Sequence, residues 1–292
     1  MIYDVRHVTT YTYASPVTFA QCTLRMLPDS GPGQIVSGAR LIIDPQPSTT
    51  SYHRSFFGTR VVVAQIDEAH STLRIEARST VDVQRPVVAG LAGPAWETVR
   101  DAVFACRTLT PASPAHFLYP SHRVSLWPEV TAYAAGCFTP ARSIMEAVMA
   151  LTSRIRREFR YDPDATQVST PLIQAFEARH GVCQDFAHVM IAGLRGLGLA
   201  AAYVSGYIRT IPPEGQPRME GSDASHAWVT VWCGPNLGWI GYDPTNDMVV
   251  GNDHIVLGWG CDYSDVAPLG GVLQGAGEQE VDVAVDVVPL PA

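Results

Sequence analysis

No cysteine of this chain stands in a CxxC pair; the six, Cys22, Cys106, Cys137, Cys183, Cys233 and Cys261, are scattered over 292 residues. At that length such scatter reads as free thiols, most of them ordinary buried side chains, and excludes a disulfide framework. Clustered basic charge is missing too. The densest stretch, Arg154-Ile155-Arg156-Arg157, reads as the solvated face of a helix, and the net charge is -8. Phosphate backbones and anionic bilayers need grouped cations, so neither a nucleic acid nor a membrane is expected as partner. The opening MIYDVRHVTTYTYASPV lacks the basic and apolar regions of a secretory signal. No uncharged apolar run reaches membrane-spanning length. A soluble, cytoplasmic protein is the expectation. Internal repeats and low-complexity segments are absent as well.

What is present is a globular balance, 47% hydrophobic and 16% charged, which argues against long disorder. Residues 1–85 read as a small sandwich-like β-domain. Tyr3, Val5 and His7 alternate with Ile2, Asp4 and Arg6, and further strands are predicted over 39–43, 59–66 and 72–83, separated by Pro and Gly breaks. Residues 86–138, with Pro86, Pro94, Pro111, Pro114, Pro120 and Pro128, read as a connecting region with one or two short helices. From residue 139 to 292 the pattern becomes α+β. Thr139 and Pro140 suit a helix start, followed by Ile144, Val148, Leu151, Ile155 and Phe159 at helical spacing. A second helix is predicted from Thr170-Pro171 to Gly181. A third starts near Cys183 and is apolar nearly all round, the mark of a buried helix. Strands are predicted over 201–208, 226–232 and 239–242. Beyond a glycine-rich passage at 270–277, which gives the chain freedom to travel, residues 281–287 alternate strictly. That pattern predicts a last strand with Val281, Val283, Val285 and Val287 inward and Asp282, Ala284 and Asp286 outward. It should join either the catalytic sheet's edge or, by preference, the N-terminal β-domain, because a lone strand cannot satisfy its backbone.

Any single cysteine is more often a buried apolar side chain than a nucleophile. Cys183 is set apart by its place at a helix start, where free N–H groups and the helix dipole stabilise a thiolate and can receive a developing oxyanion. A thiol also needs a base. His226, in Ala224-Ser225-His226-Ala227-Trp228, lies near the start of a strand, and Asp243, in Tyr242-Asp243-Pro244-Thr245, at the end of the next. Adjacent antiparallel strands could set Asp243 against His226 and hold its tautomer. His188, His180 and His254 read as structural histidines, with His254 the better outside candidate for a base, and Asp185 as a buried hydrogen-bonding group. Gln184 is a candidate oxyanion donor, and Trp228, Tyr207 and Tyr263 are candidate substrate-binding residues. Trp228, Trp239 and Trp259 fit a channel wall or, by default, the core. The breaker-rich stretch 211–222 reads as a loop beside the site or as a simple connection. Catalytic zinc with one Cys ligand usually has a second Cys or His at close spacing, and only His188 lies near Cys183; no metal and no cofactor is expected.

Three segments carry a resemblance: GVCQDFAHVMIAGLRGLGLAAAYVSGYI, DASHAWVTVW and GWIGYDPTND. They resemble the bacterial transglutaminase-like superfamily, whose motifs surround a Cys, a His and an Asp in this order. YDPDAT at 161–166, Thr170-Pro171, Asp253-His254-Ile255 and DYSDVAP at 262–268 extend the likeness. HVTTYTYASPV resembles the β-domain that often precedes the core. The resemblance implies a papain-like α+β core whose family includes cysteine peptidases, amidases and cross-linking transglutaminases. It implies Cys183, His226 and Asp243 as catalytic residues acting on a peptide or protein amide. The chain departs from the pattern at Ala202, Cys261 and Gly270, where relatives usually have Arg. Hydrolysis through an acyl-enzyme is the leading expectation, acyl transfer to an amine the alternative, and a non-catalytic binding module a third. The oligomeric state stays open.

Overall fold

A computed structural model describes residues 1–291 apart from 87–89, 91, 211–220, 222 and 276. The N-terminal region is all strand: β1 (Ile2–Val17), β2 (Phe19–Leu24), β3 (Gln34–Asp44), β4 (Thr49–Arg54), β5 (Arg60–Ile66) and β6 (His70–Val83). Next come α1 (Trp96–Ala105), a 3-10 turn (Pro114–Phe117), α2 (Pro128–Ala135), α3 (Ile144–Glu158) and the two-residue β7 (Arg160–Tyr161). These lead to α4 (Leu172–Ala178), β8 (His180–Gly181), α5 (Cys183–Gly196), β9 (Ala201–Ile208), β10 (Ala224–Trp232) and β11 (Trp239–Asp243). The chain finishes with β12 (Met248–Val249), β13 (His254–Gly260), α6 (Tyr263–Val266), β14 (Leu269–Gln274) and β15 (Gln279–Pro289).

Two four-stranded sheets, β15-β1-β6-β3 and β14-β2-β5-β4, make the β-domain. One core joins them, with Tyr13, Leu24, Val62, Ile66, Leu73 and Ile75 among its buried side chains. The second body is a five-stranded sheet, β12-β11-β10-β9-β13, against which α5 packs. Every residue of α5 from Gln184 to Arg195 is buried. It lies between Val130 and Ala134 of α2, Val148 and Leu151 of α3, and Ala227, Val229 and Val231 of β10. This is the papain-like α+β arrangement: a buried helix on an antiparallel sheet.

Several boundaries differ from the sequence expectation. The helix expected from Thr139 starts at Ile144, because Thr139–Ser143 forms a turn in which Ala141 takes φ 59° and Ser143 becomes the N-cap. The helix expected to reach Gly181 stops at Ala178, where Arg179 adopts a left-handed φ of 57°. β2, β4 and β13 were not foreseen; β4 is exposed at every residue and so carries no alternation to read.

The glycine-rich passage is not a loose tether. Most of it is β14, paired antiparallel with β2 from Leu269↔Leu24 to Gln274↔Phe19. A Cβ at Gly271 would stand 2.2 Å from the Gln21 carbonyl oxygen, so glycine there permits close backbone approach. β15 pairs with β1 of the β-domain, from Tyr3↔Pro289 to Tyr13↔Gln279. Only part of its valine set turns out to be inward. Val285 and Val287 are enclosed by Tyr3, Val5, Val81, Val83, Tyr207, Ile255 and Leu257, the cluster that joins the β-domain to the five-stranded sheet. Val281 and Val283 lie beyond that cover and are exposed, while Asp286 is buried.

Candidate active site

Cys183 is the first residue of α5 and is half-buried. The turn before it is built by Asp185, whose Oδ2 accepts from the Val182 N–H at 2.9 Å and from the Thr166 hydroxyl at 2.6 Å. A Cβ on Gly181 would sit 2.5 Å from that same oxygen, so the closure needs glycine. The expected hydrogen-bonding role of Asp185 is thus a cap on the Cys183 helix. Being first in the helix, the Cys183 and Gln184 N–H groups have no intrahelical acceptor.

The five-stranded sheet brings the other two groups together. Val229 of β10 pairs with Tyr242 of β11, which sets the end of β11 beside the start of β10. His226 Nε2 donates to Asp243 Oδ2 at 2.8 Å, and the ring lies near enough to Cys183 to interact with it electrostatically. With Nε2 engaged by the carboxylate, Nδ1 is left for the sulfur. Burial disfavours the imidazolium, but the hydrogen bond that His226 donates to Asp243 and the interactions with Asp243 and Cys183 outweigh it and raise the His226 pKa. Asp243 is fully buried. Burial alone would raise its pKa; the hydrogen bonds from His226, His254 and Asn246 instead hold it well below the usual carboxylate range.

Asp243 is saturated with donors. Its Oδ1 accepts from the N–H groups of Thr245 at 2.9 Å and Asn246 at 3.1 Å. Its Oδ2 accepts from His226, from His254 Nε2 at 3.1 Å and from Asn246 Nδ2 at 2.7 Å. The sequence reading did not single out Asn246, although it lies three residues past Asp243 in the quoted GWIGYDPTND. His254 was weighed as an alternative base; the structure turns it toward Asp243. His226, Asp243 and His254 are the one group among the described residues with three potential metal-ligand atoms, all within 4.8 Å. Three proton donors already occupy Oδ2, so we assign the cluster to hydrogen bonding.

The remaining candidates fall elsewhere. Gln184 donates its side-chain amide to the Val168 carbonyl at 3.3 Å, toward the loop before α4. Trp228 is enclosed with His254, ring centroids 5.2 Å apart, and packs the floor beneath the histidines. Tyr207 is 1% exposed and faces the β-domain, bonded to His7 at 2.9 Å, so a substrate cannot reach it as placed. Tyr263 starts α6, half-buried, 6.3 Å from Tyr203. Tyr203, not foreseen, is buried close enough to feel the Cys183 charge. His188 accepts from the Tyr263 N–H at 3.3 Å, and burial pushes its pKa down to about 4, as suits a neutral structural histidine. Trp239 and Trp259 donate to the carbonyls of Ala112 and Phe57, both at 3.0 Å, in an aromatic cluster with Phe117. Beside two of the departures, buried Arg195 donates to the Ala201 carbonyl at 2.9 Å and the Cys261 carbonyl at 2.7 Å. Gly270 lies in β14, paired with Thr23. The stretch 211–222 lies almost wholly outside the described residues.

A β-sandwich joined to a papain-like core, with a thiol at a helix start facing a His–Asp pair, defines a fold class that comparison with known proteins makes specific. The family description "Bacterial transglutaminase-like N-terminal region" matches residues 3–82, and "Transglutaminase-like superfamily" matches residues 131–244. An uncharacterized protein of Mycobacterium tuberculosis is 41% identical over 297 residues, spanning 99% of this chain and 93% of the relative. One of Mycobacterium leprae is 32% identical over 295 residues, 98% of each. A solved structure from Cytophaga hutchinsonii, whose name proposes a cysteine protease, shares the fold with a TM-score of 0.77 at 23% identity, over 100% of this chain and 91% of that one. The chain belongs to the transglutaminase-like superfamily. No helix among the described residues is long and apolar enough to cross a membrane.

Proposed function

We propose that the protein is a thiol hydrolase that cleaves peptide or isopeptide-like amide bonds through an acyl-enzyme on Cys183. The observation that carries this reading is the His226 ring, hydrogen-bonded to Asp243 at 2.8 Å and near enough to Cys183 that both groups raise its pKa. With its pKa raised, His226 already holds the proton as imidazolium beside Asp243, and the Cys183 sulfur attacks the amide carbonyl as thiolate, so the S–C bond forms as the carbonyl π pair moves onto oxygen. The Cys183 and Gln184 N–H groups, free of intrahelical acceptors, would receive the oxyanion that results. The imidazolium then protonates the departing amine, the C–N bond breaks, and a water activated by the same imidazole releases the acid. The name of the Cytophaga hutchinsonii protein accords with this chemistry.

The same acyl-enzyme delivered to an amine would be transglutamination, and product mass separates the two. Peptide amides incubated with the wild type and with Cys183→Ala, followed by mass spectrometry, test the reading. Hydrolysis adds water and must vanish in Cys183→Ala. An amine adduct in place of water makes the protein a transferase. An inert wild type with an unreactive Cys183 leaves a binding module on this fold.

A further inference from the structure

The structure assigns the N-terminal β-domain a part in the chemistry: it grips the segment 251–256 so that His254 holds the Asp243 carboxylate in place. This rests on the acyl-enzyme reading and deepens it, making His254 and Arg85 positioning residues of that site.

The grip is polar and concentrated on six residues. Arg85, two residues past the end of β6, donates through Nη1 to the carbonyls of Gly251 at 2.7 Å and His254 at 2.5 Å. Its own N–H donates to Asn252 Oδ1 at 2.9 Å. Tyr3 of β1 donates its hydroxyl to Asp253 Oδ1 at 2.7 Å. Gln34 of β3 brackets Val256, its Nε2 donating to the carbonyl at 2.9 Å and its Oε1 accepting from the N–H at 2.9 Å. The join between the two bodies already has an apolar cluster, so cohesion alone does not require these bonds. What they share is the segment that presents His254.

His254 is fully buried. Its Nδ1 accepts from the Gly251 N–H at 3.4 Å, which leaves the proton on Nε2 for Asp243. Trp228 packs against the ring at 5.2 Å and blocks its rotation. Oδ2 is therefore fixed from three directions, by His254, Asn246 and His226. Without His254, Oδ2 loses one of its three donors, and the His226 bond loses part of the restraint that aligns it with Cys183. The charged and titratable groups facing the segment are Arg85 and Tyr3 from the β-domain, Arg209 3.4 Å from Asp253, and the Asp243–His226 pair itself.

The test reads Cys183 directly, with iodoacetamide on the full chain and peptide mapping. In Arg85→Ala and His254→Phe the alkylation rate of Cys183 at pH 6 should fall about tenfold, the scale of losing an outer partner of a site. At pH 10, where a thiol ionises unaided, rates should stay within about twofold of wild type. His254→Gln, whose amide can still donate, and Arg85→Lys should recover most of the pH 6 rate. Unchanged pH 6 rates in both folded variants, or equal losses at both pH values, overturn the proposal. Should Arg85→Ala not fold, Tyr3→Phe replaces it, with an expected loss of about twofold to threefold at pH 6, the scale of one hydrogen bond, and no loss counting against the grip. A Cys183 that reacts slowly in the wild type, or turnover that survives Cys183→Ala, would instead sink the acyl-enzyme reading.

Discussion

Replacing Asp243 by asparagine changes one atom and reverses the polarity of the most buried hydrogen-bond hub in the site. The wild-type Oδ1 accepts from two backbone N–H groups and Oδ2 from two imidazoles and the Asn246 amide. A carboxamide has one oxygen and one NH2. Backbone N–H groups cannot change their polarity, whereas an imidazole can change tautomer, so the NH2 takes the place of Oδ2. His226 must then accept through Nε2 and carry its proton on Nδ1, the nitrogen left for the Cys183 thiol. That nitrogen can no longer take a proton. By the scale of the same tautomer fault in serine triads, turnover should fall roughly 10³- to 10⁴-fold. This is a larger loss than an orienting role alone suggests. Donors left facing a donor cost about 1–3 kcal/mol each, so the variant should be about 2–6 kcal/mol less stable. The penalty should follow pH. Because the His226 pKa is raised to about 10, its share of stability is whole below its unfolded value and is lost as pH rises through 10. Because the Asp243 pKa is depressed, its share is whole above its unfolded value, about 4, and is lost as pH falls. The melting gap between wild type and Asp243→Asn should therefore be widest between about pH 4 and 6.5 and shrink at both extremes. Melting curves across that range, with turnover measured beside them, check both parts. A variant that keeps more than about a tenth of wild-type activity would refute the tautomer argument, and a gap independent of pH would refute the electrostatic one.

Two further outcomes follow from the same geometry. Val287→Ala opens a cavity in the cluster that joins the two bodies and should cost about 2 kcal/mol, lowering Tm by about 4 °C, whereas exposed Val283→Ala should cost under about 0.5 kcal/mol; equal shifts would show the β15 register to be wrong. Under brief iodoacetamide exposure near neutral pH, Cys183 should be labelled first. Cys106 should follow, its thiol drawn down by hydrogen bonds to Ser113 and Thr108, and Cys22 and Cys233, pushed up by burial, should come last. A map with Cys183 among the last would remove it as nucleophile.

Much of the core was legible because its signals are local. A helix apolar on every side beginning at Cys183 has to be buried, and it is. The alternation from Val281 to Val287 is a strand pattern, and residues 279–289 form β15. Position in the fold was harder to read. Thr139 looks like a cap, but a turn through Ala141 delays the helix to Ile144. Gly270 to Gly277 looks like slack, but most of it is an edge strand whose glycine admits a neighbouring backbone. A tyrosine one residue past Gly206 on β9 looks available to substrate, but alternation along the strand turns Tyr207 into the β-domain.

The sequence by itself determined which residues could do chemistry: the thiol at a helix start, and an imidazole and a carboxylate on consecutive strands. Their order along the chain, the β-rich beginning and the α+β remainder were all readable from short-range periodicity. Only the tertiary structure decided which histidine faces the sulfur and which supports the carboxylate. His226 and His254 both reach Asp243 Oδ2, at 2.8 and 3.1 Å, and it is His226 whose pKa Cys183 helps raise. Only the folded chain shows that the segment carrying His254 is held by Tyr3, Gln34 and Arg85 from the far end of the sequence. The physical reason is that hydrogen bonds between residues more than 160 positions apart leave no periodic trace, because each depends on where two separately folded backbones meet.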